Sequence, residues 1–220
     1  MAWNPDVLRV QEALRSFNLY PGALDGIAGP QTAAGVLEAW GKRLDILAPD
    51  SPLMVAFRKA IASTMPTQHE VEHEVGAHLG PHPHDPRCGK WNDDGAYARA
   101  HYGWFTFPVC GRLYMHRDAA WRWMLALGEV EYRFPFLSLG KACSFCLRHR
   151  NWDPAQGWSM HCYGAIDFDL NQNGKWERVE VNLPVDTIAA LAVLRSWGMR
   201  LGLDWHGASE DDMHIEATCG

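Results

Sequence analysis

Apolar positions early in the chain recur at helical spacing. Val7, Val10 and Leu14, with Gln11 between them, fall on one face and predict a helix. Asn4 followed by Pro5 supplies its start, an N-cap with proline in the first turn. Tyr20-Pro21-Gly22 stops it, Asp25-Gly26 adds a second turn, and Gly29-Pro30 opens another helix in which Thr32, Val36 and Trp40 share a face. Residues 1–45 therefore read as a small helical domain. Residues 46–90 read as a linker. Asp50-Ser51-Pro52 breaks the chain, a polar helix follows from Met54 to Ser63, and the His- and Pro-rich stretch His78 to Pro86 predicts no regular structure. Residues 91–220 mix both periods. A helix is expected from Asp118 to Leu127, a buried strand from Tyr163 to Phe168 and an alternating strand from Glu177 to Leu183. A helix from Pro184 to Trp197 closed by Gly198 follows, with short strands at Leu201–Trp205 and Met213–Thr218. Strands interleaved with helices give an α+β class with a small antiparallel sheet.

Composition narrows this picture. A hydrophobic share of 47% against 21% charged residues predicts a packed core. The net charge of -6 argues against nucleic acid as a partner, because phosphate binding wants a basic face. No apolar run is long enough to span a bilayer, so no stable membrane anchor is expected, and the chain is expected to be a monomer. The opening residues carry no basic and apolar leader, so no signal peptide is expected. Of the six cysteines, Cys143 and Cys146 have metal-ligand spacing but lack a second pair, and all six read as buried free thiols.

The chemistry gathers in two places of the second half. One is Ser159-Met160-His161-Cys162-Tyr163-Gly164-Ala165-Ile166-Asp167; the other is Asp211-Asp212-Met213-His214. Hydrolytic zinc wants three protein ligands and one open position. His161, Asp167 and His214 supply two imidazoles and a carboxylate. Asp211, three residues before His214, is placed to take a proton from the attacking water if the chain turns there.

Two resemblances follow from these residues. Val10-Gln11-x-x-Leu14 with Tyr20-x-Gly22-x-x-Asp25-Gly26-x-x-Gly29-Pro30-x-Thr32 resembles the peptidoglycan-binding domain type 1, which implies a wall-binding role for Asp25, Gly26, Gln31 and Thr32. Ser159, His161, Gly164 and His214, with the Asp204-Trp205 pair ahead of the last ligand, resemble the zinc D-Ala-D-Ala carboxypeptidases and L-alanyl-D-glutamate endopeptidases of bacteria and their phages. Gly164-Ala165-Ile166-Asp167 is one residue shorter than that family's spacing. Alignment on Ala165-x-Asp167 makes Asp167 the ligand, with Asp169 as the alternative on a bulged strand. The resemblance implies a Hedgehog/D-Ala-D-Ala peptidase-like fold, a Zn2+ cofactor, and an arginine that steadies the scissile carbonyl, for which Arg148 and Arg150 are available. It also implies peptidoglycan as the substrate. A wall-binding unit favours an endopeptidase acting on intact polymer, with a carboxypeptidase of the same family as the alternative. Without a leader, such an endolysin waits in the host cytoplasm until release to the wall.

Two further motifs stand apart. His69-Glu70-Val71-Glu72-His73 is a formal H-E-x-x-H, which would make a zincin protease but reads better as a solvated helix. Asp169, Asn171, Asn173, Gly174 and Glu180 fit the spacing of an EF-hand Ca2+ loop, although a strand rather than a helix precedes it. A wall-binding protein without catalysis is the remaining alternative.

Overall fold

The structure, a computed structural model, describes residues 2–82, 84–170, 183–205 and 213–219. The first two expected helices form where the caps place them. Asn4 accepts from the backbone N–H groups of Asp6 and Val7 and opens α1, Pro5–Ser16. Proline at its first position opens α2, Pro30–Gly41. Gln11 is fully buried between them. Its side-chain nitrogen donates to Asp25 Oδ1 at 2.9 Å, to the Ile27 carbonyl at 3.0 Å and to Tyr20 Oη at 3.0 Å, with Thr32 Oγ1 at 3.4 Å, while its oxygen accepts from Gly26 N at 2.9 Å. The motif residues Asp25, Gly26 and Thr32 thus hold the loop to the helices.

Residues 46–90, expected as a linker, are built into the core. Ser51 caps α3, Pro52–Ala62, which buries Met54, Phe57, Ala60 and Ile61 and so is not a polar helix. Thr67 and Glu70 form a capping box at the start of α4, Gln68–Gly76, which buries Val71 and Val75. The His- and Pro-rich stretch does hold regular structure. Strand β1, Leu79–Pro81, pairs antiparallel with β2, Gly89–Trp91, because Leu79 has a core to enter.

Three elements outside the sequence-based expectation come next. Helix α5, Ala96–His101, leads into a hairpin of β3, Tyr102–Phe107, and β4, Gly111–His116. His116 then caps α6, Arg117–Arg133, longer than expected and buried along most of its length. Strands β5 (Ala142–Cys143), β6 (Ala165–Phe168), β7 (Arg200–Leu201) and β8 (His214–Glu216) form an antiparallel sheet in the order β5-β6-β8-β7. Helix α7, Val185–Ser196, precedes β7, and Gly198 at φ 85 turns the chain between them. The mixed class with a small antiparallel sheet is therefore observed. Of the strand expected over Glu177–Leu183, all but Leu183 lies outside the described residues, and of Leu201–Trp205 only Leu201 is in a strand, β7, before a 3-10 turn at Gly202–Asp204.

One apolar core runs through all of this. Helix α2 packs on α6 and α6 packs on α7. Gly128 permits the α2–α6 approach: a Cβ there would meet Leu37 at 2.2 Å. Trp40 of α2 and Phe57 of α3 both meet Trp197 edge-on, with ring centres 6.5 and 6.1 Å apart. Glu129, fully buried, accepts from Trp197 Nε1 at 2.9 Å and Arg133 Nε at 2.8 Å and lies 3.3 Å from Arg58 Nη1, so a buried carboxylate is matched by partners from three helices. Among the described residues no helix is long and apolar enough to cross a membrane.

Candidate metal centre

Local chemistry shapes the strand-and-turn frame of the site. Ser159 caps a single turn, Met160–Cys162, and accepts from His161 N. Gly164 then lets the chain lie against α6. A Cβ at this position would fall 2.2 Å from that of Ala119, and the Gly164 carbonyl takes the indole N–H of Trp123 at 2.7 Å. Strand β6 follows, and its register with β8 sets Asp167 opposite His214. The turn thus delivers His161 to a pair already fixed by the sheet.

His161, Asp167 and His214 come together, each offering a ligand atom within 4.8 Å of the others. Both histidines are buried and the carboxylate is partly open, with 20% of its side chain exposed. His161 Nε2 lies 3.1 Å from one Asp167 oxygen and His214 Nδ1 lies 3.0 Å from the other. Tetrahedral ligation with bonds of about 2.0–2.2 Å would separate ligand atoms by about 3.3–3.6 Å, and the two imidazole–carboxylate pairs lie a little inside that spacing.

The hydrogen-bond pattern tests whether a cation fits. His161 Nδ1 is 2.7 Å from the Ser144 carbonyl, which can only accept, so the proton of a neutral ring sits on Nδ1. Its Nε2 is then a bare lone pair facing a carboxylate. It is buried and makes no hydrogen bond, because Asp167 lies close but off the line of one. Two electron-rich groups face each other without a bridge, an arrangement that a shared cation resolves. His214 is oriented from its far side: Nε2 is 3.2 Å from Glu216 Oε2, and Glu216 is itself held by Thr218 Oγ1 at 2.8 Å and Arg200 at 3.0 Å. Each histidine thus presents one nitrogen to Asp167 and anchors the other, as metal-binding imidazoles do.

Electrostatics agree with the geometry. Burial opposes charge on Asp167, yet the two imidazoles, when protonated on the nitrogens that face it, hold its pKa well below the usual carboxylate range. Burial likewise pulls the His214 imidazole down, but hydrogen bonds to Asp167 and Glu216 outweigh it and hold the pKa up at about 9. Burial also works against the Glu216 carboxylate, and His214, Thr218 and Arg200 keep it low.

The other sequence candidates separate. Asp167, not Asp169, joins the cluster; Asp169 is buried and its backbone N–H donates to the Lys141 carbonyl at 2.8 Å. Asp211 lies outside the described residues, as do Asn171, Asn173 and Glu180 of the calcium spacing. Arg150 is engaged by Glu72 at 3.1 Å and by the Gln156 carbonyl at 2.7 Å. Arg148 lies with its guanidinium 5.3 Å from the centre of the Trp152 ring, and its carbonyl accepts from Ser159 N at 2.9 Å. The Trp205 ring sits beside His214 at 5.3 Å. In the H-E-x-x-H motif, Glu70 is spent on the Thr67 cap, and His69 and His73 are exposed and join no metal-capable group among the described residues. All six cysteines are free, but only Cys162 is fully buried and Cys143 is exposed, so the expectation of buried thiols fails for most of them. Sequence reasoning missed Glu216 and Ser144. The Glu216 signal was present as His214-x-Glu216, two residues on one strand face.

Comparison of the chain with protein-family models, with curated proteins and with solved structures returns no match in any of the three.

Proposed function

We propose that the chain is a zinc peptidase that cuts the stem peptides of bacterial peptidoglycan, acting as an endopeptidase between L-alanine and the following D-glutamate-type residue. The observation that carries the metal-centred part is the buried His161 Nε2, a lone pair turned on the Asp167 carboxylate with nothing between them. The substrate class rests on the two motif resemblances.

His161, Asp167 and His214 would hold the ion, with Ser144 and Glu216 fixing the two rings. A bound zinc supplies a Lewis acid for the scissile carbonyl and lowers the pKa of water toward about 7. In this reading Asp211 accepts the proton of the attacking water and returns it to the leaving amine. Arg148 steadies the negative charge that develops on the carbonyl oxygen. It is preferred to Arg150 because Glu72 already neutralises Arg150 and because Arg148 is joined through its backbone to Ser159, two residues from His161. The helical unit that carries the wall-binding motif would keep the enzyme on intact polymer.

The test is digestion of purified sacculi followed by mass analysis of the released fragments. New L-alanine carboxyl ends and new glutamate amino ends are expected, and they should vanish with His161→Ala or His214→Ala together with the bound zinc. Release of D-alanine alone would reassign the chain as a trimming carboxypeptidase. Parent-level cleavage by either variant would remove the metal assignment.

A further inference from the structure

A second cluster of metal-capable side chains lies where α4, α5 and the start of α6 meet. Glu74 is the last exposed position of α4, His101 ends α5, and His116 ends β4 and caps α6. Each offers a ligand atom within 4.8 Å of the others. None belongs to the site described above. The two clusters lie on either side of one turn: the Tyr163 ring packs on His116 at 4.8 Å, whereas His161, two residues earlier, faces Asp167.

Two features single this cluster out from ordinary surface charge. First, His116 is only 5% exposed, and its Nε2, 4.0 Å from Glu74 Oε1, is buried without a hydrogen-bond partner. A buried polar atom aimed into a group of ligands and left unsatisfied calls for an occupant. Second, the other two groups are already positioned by one residue. Tyr97 donates from its hydroxyl to Glu74 Oε1 at 3.1 Å and stacks its ring on His101 with centres 4.2 Å apart. Tyr102 meets His116 edge-on at 5.1 Å, and its hydroxyl donates to the Cys162 carbonyl. Outer groups that aim two or three ligands at one point are the usual support of a metal site.

We propose that Glu74, His101 and His116 form a second metal site, which takes a divalent transition ion, Zn2+ first among them. Two imidazoles and one carboxylate suit zinc. Calcium and magnesium want an all-oxygen shell that this cluster does not offer. Glu74 and His101 are open to solvent, which leaves a path for the ion and a fourth position for water. His116 Nδ1 accepts from Asp118 N at 3.2 Å, so its neutral ring carries the proton on Nε2. Coordination through Nε2 shifts that proton to Nδ1 and exchanges this long cap hydrogen bond for the metal bond. The ring stays neutral, in keeping with the burial that drives its pKa down to about 4. The ion would tie three elements together and brace the turn that carries His161.

The test uses the full-length chain, stripped with a chelator, loaded with Zn2+ and freed of excess ion by gel filtration. Metal content should be two ions per chain. His161→Ala should leave one ion, and adding Glu74→Gln and His101→Asn to that variant should leave none. Because His101→Asn also removes the Tyr97 stack, the metal-free melting temperature of each variant is its own reference, and the zinc-induced rise seen in His161→Ala should disappear. Glu74→Gln alone should weaken the residual site at least tenfold. A His161→Ala chain without zinc, or zinc retained by the triple variant, overturns the proposal. Neither result bears on whether the chain cuts peptidoglycan.

Discussion

At the scale of single residues, the site turns on where protons sit. Without an ion, His214 holds a proton up to about pH 9, because Asp167 and Glu216 flank it. An ion must displace that proton to reach Nδ1. The sign follows: below about pH 9 each added proton competes with the metal, so apparent zinc affinity should rise close to tenfold per pH unit as pH increases from about 6 to 8. Competition titrations against a chelator of known affinity would read this slope, and a flat profile would show that His214 is not displaced. Glu216→Gln keeps the shape of the side chain but removes the charge that orients His214. It should weaken zinc about 10–100-fold without removing a ligand. The three metal-capable residues were legible in the sequence because their types and spacings are unusual together. Glu216 was visible only as His214-x-Glu216 on one strand face, and Ser144 was not legible at all, because it acts through a backbone carbonyl, which carries no side-chain signature.

At the scale of elements, Gly164 joins the metal turn to α6. Adding one methyl group there would press on Ala119 at 2.2 Å. Gly164→Ala should destabilise the chain by about 1–3 kcal/mol, and Ala119→Gly should recover part of that loss in the double variant. Urea unfolding of the four proteins would measure the coupling, and strict additivity would show that the two residues do not share a contact. The same scale shows where sequence reading fell short. Met54, Phe57 and Ile61 lie at i, i+3 and i+7, a core-facing helix pattern visible in the sequence, but the surrounding proline and histidine content hid it. The β3–β4 hairpin was also partly visible. Leu113 and Met115 alternate inward, and Pro108-Val109-Cys110-Gly111 makes the turn, with Val109 at φ 57 and Gly111 at φ 84. Tyr102 to Phe107 masks that rhythm, because aromatic residues occupy both faces and leave little contrast between inside and outside.

At the scale of the whole molecule, the helices of residues 1–45 share one apolar core with the rest of the chain. Trp40 of α2 sits in the shared core against Trp197, and the partly buried Leu37 packs beside it at Gly128. Deleting residues 1–45 should therefore cost folding as well as wall binding. Loss of a cooperative thermal transition and of activity on a soluble stem peptide is expected. A truncated chain that melts cooperatively and keeps that activity would show that the remainder stands alone. Removing only the Gln11 hub by Gln11→Ala strands Gly26 N and releases Asp25 and Thr32, and should cost about 1–3 kcal/mol.

That shared core also sets what kind of tool the molecule would be. A wall enzyme whose grip hangs on a loose tether searches a sphere of bonds, and its reach is set by the length of the tether. Here the α2–α6 packing holds the helices that carry the wall-binding motif in one core with α6, against which the His161 turn is set. Under the proposed reading the protein behaves as a gauge: from any one foothold on the polymer it presents its metal group at a single distance and angle. The pattern of cuts along a sacculus would then be spaced by the geometry of the fold and not by diffusion.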